Sequence, residues 1–228
     1  MPHVIHRIAL GRGSRLAIAL AGALCALAFA AQPSHAGVLV TSAPSCAAQS
    51  TARVFQPWLD LANYQLAPDG GFEAGAKDWS LAGGARTVPG NESNFVGGRA
   101  DTTALQIPAG GSATSPVFCV GIEHPTARLF AKRTGGTLLS TLRVDVQFET
   151  ALGVQLSLPI GVVLGGGQWA PSLPMLMVAN LLPLLPGQHT PVTLRFVPQG
   201  GGSWTIDDVY VDPFKHFGSR HDPAAVRR

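Results

Sequence analysis

The sequence lacks the short motifs that mark the common enzyme chemistries. It contains no GxSxG nucleophile elbow, no HExxH zinc motif and no Walker-type phosphate loop. Beyond the first 36 residues its histidines are scattered, without metal-ligand spacing to cysteine or aspartate; they are His124, His189, His216 and His221. We therefore expect a protein that is not an enzyme and has no catalytic residues.

Charged residues are scarce, at 13% of the chain, and no sign of charge dominates. Three of the 16 basic residues lie in the first 36 positions, which leaves 13 basic residues against 13 acidic ones. Nucleic acids and anionic membranes bind proteins through clustered lysine and arginine. The balanced remainder therefore argues against both of these partners.

Long apolar runs are also rare: one occurs at residues 16–31, and no later segment approaches membrane length. Arginines precede this run, and the small residues Ser34 and Ala36 occupy the two positions that a signal peptidase recognises. Residues 1–36 are therefore predicted to be a secretory signal peptide. We expect a secreted protein, extracellular or in the cell envelope, that does not insert into a membrane.

Only two cysteines, Cys46 and Cys119, follow the predicted leader. An even number in an exported chain favours one disulfide between them, and two separate thiols are the alternative. In the chain-entropy model a disulfide that closes a loop of this size stabilises the fold by about 4 kcal/mol.

Glycine and proline interrupt short apolar runs along the chain, which favours strands and turns over long helices. The stretch TLRVDVQFE, residues 141–149, alternates strictly and predicts a half-buried antiparallel strand. The stretch GVQLSLPIGVV, residues 153–163, predicts a second strand, which Pro159 indicates to be an edge strand or a bulged one.

Eight to nine strands with little helix predict an all-β fold, a two-sheet antiparallel β-sandwich, with a closed barrel as the main alternative. The sandwich is expected at residues 68–212, and its last two strands are expected to form a hairpin within residues 190–212. Residues 37–67 are predicted to be an N-terminal arm with one helical turn at Pro57. Residues 213–228 are predicted to be a flexible tail.

The last predicted strand carries two adjacent carboxylates, Asp207 and Asp208, in its middle. Neighbouring side chains on a strand point to opposite faces, so one of the two is expected to face inward. A buried carboxylate needs a partner. The sequence leaves two protein partners open, Arg195 on the neighbouring strand and backbone N–H groups.

Two stretches resemble the jelly-roll carbohydrate-binding modules of secreted cellulases and xylanases, within the galactose-binding-like superfold. They are PDGGFEAGAKDWS, residues 68–80, and WTIDDVYV, residues 204–211. The resemblance implies that the first and last strands lie close together, near a structural calcium ion. It also implies the oxygen ligands of that Ca²⁺, namely Glu73, Asp207, Asp208 and a backbone carbonyl near Gly71.

Sugar binding requires exposed aromatic rings that stack on a sugar face and planar polar side chains that bond its hydroxyls. Aromatic candidates are Trp58, Trp169, Trp204 and Tyr210, whereas the resemblance places Trp79 in the core. The strand at 141–149 presents three polar side chains in a row on one face. We predict a ligand site made of Arg143, Asp145, Gln147 and Trp169, with an ordinary solvated sheet face as the alternative.

These features predict a secreted non-catalytic module that binds carbohydrate, either a polysaccharide or another glycan. A structural or protein-interaction domain of the cell envelope, without sugar binding, is the alternative. Binding to a glycan that is lost in a Trp169→Ala or Arg143→Ala variant is expected only for the first.

Overall fold

The computed structural model describes residues 39–41, 50–182 and 188–212. The chain divides after Ala36, and every described residue belongs to the unit Gly37–Arg228. The predicted leader, the predicted tail and Cys46 lie outside the described residues, so the leader, the tail and the disulfide to Cys119 stay predictions. Among the described residues, no helix combines the length and the apolar character needed to cross a membrane.

Thirteen strands and two 3-10 helices, Gln56–Trp58 and Val178–Leu181, make up the described part of the chain. The strands are β1 (Gln65–Leu66), β2 (Ser80–Ala82), β3 (Arg86–Pro89), β4 (Thr103–Ile107), β5 (Ser112–Thr114), β6 (Phe118–Gly121), β7 (Thr126–Gly135), β8 (Thr141–Glu149), β9 (Gln155–Val163), β10 (Ala170–Pro171), β11 (Met175–Leu176), β12 (His189–Gln199) and β13 (Ser203–Val211).

These strands build two antiparallel sheets, which confirms the predicted all-β two-sheet jelly-roll sandwich and not a closed barrel. The seven-stranded sheet has the order β10, β7, β13, β4, β3, with β1 beside β13 and β11 beside β7. The six-stranded sheet has the order β2, β5, β12, β8, β9, with β6 beside β12. Because β1 pairs with β13, the first and last strands lie together, as the resemblance implied.

The two sheets enclose a continuous apolar core. Strand β8 has the bounds predicted from its alternation, and its inward residues are Leu142, Val144, Val146 and Phe148. Since successive residues of a strand alternate between faces, the polar residues of β8 stand on the outer face of the six-stranded sheet. Strand β9 lies at the edge of that sheet, with a register shift opposite Pro159, as predicted.

A second apolar cluster covers the outer face of the seven-stranded sheet. Phe55 and Tyr64, from the N-terminal arm, pack there against Phe130 of β7 and Tyr210 of β13. The helical turn predicted at Pro57 is the 3-10 helix Gln56–Trp58 in the same arm. Strand β13 is therefore covered on both faces, and residues 50–67 pack onto the sandwich that was predicted to begin at residue 68.

The predicted hairpin of the last two strands is wrong. Strand β12 lies in the six-stranded sheet, whereas β13 lies in the seven-stranded sheet. The turn between them contains Gly200 and Gly201, whose φ angles of 64° and 70° lie where residues with a Cβ atom are uncommon. These glycines let the chain cross from one sheet to the other. Arg195 of β12 therefore belongs to a different sheet from Asp207 and Asp208, and it is not the partner of either aspartate.

Candidate functional site

A β-bulge in β13 places the two aspartates. Asp207 lies opposite Phe130 of β7 and Tyr210 lies opposite Arg128, so three steps along β13 match two along β7. Asp208 has a φ of 50°, in the left-handed region that aspartate and asparagine tolerate better than most residues. An extra residue of this kind is the defining feature of a bulge.

The bulge sets the direction in which both carboxylates point. Ile206 and Val209 both pack into the core between the sheets, although residues three apart on a regular strand face opposite ways. The two aspartates stand between them, and each is only 1% exposed. The sequence predicted that one of the two aspartates faces inward. That prediction assumed an unbroken alternation, whereas the bulge leaves both carboxylates buried.

Asp208 lines a cavity of about 460 Å³ together with Glu73, Asp101 and Gly71. A Cβ atom placed on Gly97 would lie 2.5 Å from Asp101 Oδ2 and 2.8 Å from Asp208 Oδ1, so the two carboxylates converge on this glycine. A Cβ atom on Gly71 would lie 3.4 Å from the same Asp208 oxygen. The structure thus brings together three of the four residues that the resemblance implied for calcium.

Glu73 ties the N-terminal motif to the loop that leads into β4. Its Oε1 atom accepts the backbone N–H groups of Thr102 and Thr103, each at 2.8 Å. Asp69 shapes the turn before it, because its carboxylate accepts the N–H groups of Ala74 and Lys77. The carboxylate of Glu73 is exposed and held at the rim of the cavity.

The fourth implied ligand, Asp207, has its own partners. Its Oδ2 atom accepts the N–H of Glu92 at 3.0 Å, and its Oδ1 atom accepts the N–H of Asp208 at 2.9 Å. Glu92 is itself buried, and its carboxylate accepts the N–H groups of Asn94 and Val96. Backbone N–H groups are therefore the partners of Asp207, and no salt bridge within the described ranges reaches either aspartate.

The carboxylates are buried close to one another, and this raises the pKa values of Asp207 and Asp208. Burial, together with the negative charges of Asp208 and Glu92, raises the pKa of Asp207 to about 8. Burial, together with repulsion from Glu92 and Asp101, raises the pKa of Asp208 to about 7. The Oδ2 atom of Asp208 is buried without a hydrogen-bond partner. Such a site, with oxygen donors only, fits a hard divalent cation such as Ca²⁺.

Sequence reasoning missed Asp101 and Glu92. Both lie in the irregular segment between β3 and β4, where no alternation or motif indicates which side chains turn inward. The one available signal is composition, since Gly97 and Gly98 just before Asp101 permit a close approach of the backbone to other groups.

The predicted polar row lies on the outer face of the six-stranded sheet. Arg143 Nε is 3.0 Å from Asp145 Oδ1, and Arg195 of β12 is the cross-strand neighbour of Asp145. The Oε1 atom of Gln147 accepts the hydroxyl of Thr193 at 3.2 Å. A cavity of about 500 Å³ adjoins the row, and its lining includes Gln147, Glu149, Gln155, Ser157, Thr193, Val117, Leu156 and Pro191.

Trp169 does not join this face. It packs against the cluster of Phe55 and Phe130 on the other sheet, and Lys132 Nζ lies 4.6 Å from the centre of its ring. The four residues predicted to bind ligand therefore do not share one surface. Of the other aromatic candidates, Trp204 and Tyr210 are buried, and Trp79 packs in the core as expected.

Comparisons with known proteins give similarity in structure alone. The sequence matches no protein-family model, and no curated protein is detectably similar to it. Among solved structures, the CBM22-1 xylan-binding domain from Paenibacillus barcinonensis Xyn10C is 14% identical, with a TM-score of 0.46 over 74% of this chain and 99% of that one. TmCBM61 in complex with beta-1,4-galactotriose is 16% identical, with a TM-score of 0.38 over 65% and 97%.

The CBM22-1-GH10 modules of Clostridium thermocellum xylanase 10B, complexed with xylohexaose, are 15% identical, with a TM-score of 0.43 over 64% of this chain. The present chain covers only 28% of that structure. These are modules of the kind that the two sequence motifs resemble. Since all three TM-scores are below 0.5, the function of this chain has to be inferred from its own residues.

Proposed function

We propose that this chain is a secreted, non-catalytic β-sandwich module that binds a polysaccharide or another glycan along the outer face of the six-stranded sheet. The observation that carries the proposal is the row of Arg143, Asp145 and Gln147 beside the cavity of about 500 Å³. The row and the cavity adjoin one another at Gln147.

The chemistry of this face suits a sugar chain. Gln147 and Arg143 present planar groups with several donors, and Thr193 adds a hydroxyl, so neighbouring sugar hydroxyls can be bonded in pairs. Val117, Leu156 and Pro191 line the same cavity and offer apolar surface to the C–H face of a sugar ring. The ion pair with Asp145 fixes the guanidinium of Arg143, which lowers the entropy lost on binding.

The acidic cavity at Asp208 is proposed to hold a structural Ca²⁺ ion. Glu73, Asp101 and Asp208 would supply carboxylate oxygens, and a backbone carbonyl near Gly71 would complete the set. Bound calcium would neutralise the repulsion among these carboxylates and tie the N-terminal motif to the last strand. Its role would be stability, since the cavity lies on the seven-stranded sheet and the polar row lies on the other one.

One observation favours the alternative of a protein-interaction domain. The edge strand β9 exposes apolar side chains, with Leu156 and Leu158 each 38% exposed and Val162 54% exposed. The sequence also contains no Asp, Glu, Lys or Arg from residue 150 to residue 194. An uncharged apolar edge of this kind is suited to contact with another protein.

A panel of insoluble and gel-embedded polysaccharides tests the proposal. Full-length protein is expected to bind at least one polysaccharide, and a Gln147→Ala variant is expected to lose most of that binding. An Arg86→Ala variant is the matched control, because Arg86 is exposed on β3 of the other sheet. If no polysaccharide retains the protein, the interaction domain is favoured. If the two variants lose polysaccharide binding equally, the polar row is not the binding site.

A further inference from the structure

Three side chains that can bind a metal meet at one end of the six-stranded sheet, and none of them is used in the proposals above. Glu123 and His124 lie in the turn that follows β6, and His189 begins β12. The register of the two strands places His189 opposite Gly121, the last residue of β6. One potential ligand atom from each side chain lies within 4.8 Å of the other two.

The distances are close to those in a metal site. Glu123 Oε1 is in contact with His189 Nε2, and it lies 3.6 Å from His124 Nδ1. Around a tetrahedral ion with bonds of about 2.0–2.2 Å, ligand atoms stand roughly 3.3–3.5 Å apart. Small movements of the exposed side chains would therefore bring all three atoms to bonding distance of one ion.

Backbone contacts hold His124 in the tautomer that a metal requires. The turn is closed by a 2.8 Å hydrogen bond from the His124 N–H to the Gly121 carbonyl. The Gly121 N–H donates to His124 Nδ1 at 3.0 Å, so this ring nitrogen carries a lone pair. Burial lowers the pKa of His124, which favours the neutral ring. A cation that binds here would replace the Gly121 N–H group as the partner of the Nδ1 lone pair.

The close approach of the cluster depends on Gly121. A Cβ atom at this position would lie 2.7 Å from Glu123 Oε2 and 2.9 Å from His189 Cδ2, so any larger residue would push the two side chains apart. His124 is buried, whereas the side chains of Glu123 and His189 are 29% and 24% exposed. His124 therefore forms the buried side of the cluster, whereas Glu123 and His189 are partly exposed to solvent. The exposed side allows an ion to enter and to keep a water ligand.

We propose that Glu123, His124 and His189 form a binding site for a divalent transition metal of the Zn²⁺ type, with three protein ligands and a fourth position open to water. Two imidazoles and one carboxylate form a donor set that suits zinc and its neighbours in the first transition series. It differs in kind from the oxygen-only cavity at Asp208, which suits Ca²⁺. The proposal does not depend on sugar binding.

Calorimetric titration of the metal-free full-length chain with Zn²⁺ tests the site, with excess Ca²⁺ present to fill the acidic cavity. One equivalent is expected to bind, and Glu123→Gln and His189→Gln variants are each expected to weaken that binding by more than about tenfold. The control is a chain with both His216→Gln and His221→Gln, which should keep the equivalent. No stoichiometric binding, or binding that only the control variant loses, would overturn the proposal.

Nitrogen NMR of the unaltered chain gives a readout that does not depend on the variants folding. Addition of Zn²⁺ is expected to shift the resonances of His124 Nδ1 and His189 Nε2 together, at the same molar ratio as the calorimetric step. Shifts confined to histidines outside the cluster would contradict the assignment even if Zn²⁺ binds.

Discussion

Glu73 and Asp208 line the same cavity, although Glu73 lies in the turn before β2 and Asp208 lies on the last strand. The negative charge of Glu73 contributes to the raised pKa of Asp208, so the two carboxylates interact electrostatically as well as sharing a surface. This relationship connects the two sequence motifs in space. The resemblance to carbohydrate-binding modules implied this proximity and, with it, a cation site, although the sequence contains no metal-binding spacing.

Calcium should stabilise the protein through Asp208. Because an ion that binds only the native state raises stability by mass action, the melting temperature is expected to rise on addition of Ca²⁺ and to fall with EGTA. An Asp208→Asn variant should not respond to Ca²⁺. In EGTA it should be more stable than the unaltered chain by about 1–2 kcal/mol, since one buried repelling charge is removed. Asparagine tolerates the left-handed backbone at this position, so backbone strain does not confuse the comparison. A calcium response that survives in Asp208→Asn would show that the ion binds elsewhere.

The stability of the calcium-free protein should decrease as pH rises. In the unfolded chain both aspartates titrate near 3.9, whereas the native pKa values of Asp207 and Asp208 are about 8 and about 7. Between these limits the native state holds more protons than the unfolded state, so the free energy of unfolding falls from about pH 4 to about pH 8. Urea unfolding in EGTA at several pH values measures this slope. A slope of the opposite sign would contradict the burial and mutual repulsion of the two carboxylates, and saturating Ca²⁺ should flatten the slope.

Gly97 should be required for calcium binding. An alanine there would place its Cβ atom within 2.8 Å of both Asp101 and Asp208 oxygens, and would force the two carboxylates apart. Gly97→Ala is therefore expected to weaken the Ca²⁺ response of the melting temperature by more than half. Gly166→Ala is the matched control, because its Cβ atom would meet no atom within 4 Å. Equal calcium responses in the two variants would argue against convergence of the carboxylates at Gly97.

The N-terminal arm should contribute to the stability of the sandwich through Asp60. Its Oδ2 atom lies 2.6 Å from Nη1 of the buried Arg128 and accepts the hydroxyl of Tyr64 at 2.8 Å. Asp60→Ala would leave a buried guanidinium without its counter-charge, and is expected to cost about 3 kcal/mol of unfolding free energy. Arg53→Ala, an exposed change in the same arm, should cost less than about 0.5 kcal/mol. Similar stability of the two variants would mean that the arm is not part of the folded unit.

Some of this arrangement could be predicted from the sequence, because it follows from local regularities. The strict alternation of residues 141–149 was enough to fix the bounds of β8, its buried face and its polar row. Pro159 indicated the edge position of β9 for a reason of the same local kind, namely that proline lacks a backbone donor.

The remainder depends on single residues that interrupt a pattern. One extra residue at Asp208 buries both aspartates, and a period of two cannot show such an insertion. The turn at Gly200 and Gly201 is short enough for a hairpin, yet it joins two sheets. His124 and His189 looked scattered because only the pairing of β6 with β12 brings them together.

The central claim, that the outer face of the six-stranded sheet binds a sugar chain, is tested most directly by NMR titration of the labelled protein with a series of oligosaccharides of different sugars and linkages. The account predicts that at least one oligosaccharide shifts the amide and side-chain signals of Gln147, Ser157 and Thr193, while the indole signal of Trp169 on the other sheet stays unchanged. Shifts centred on Trp169, or no shifts with any oligosaccharide of the series, would contradict it.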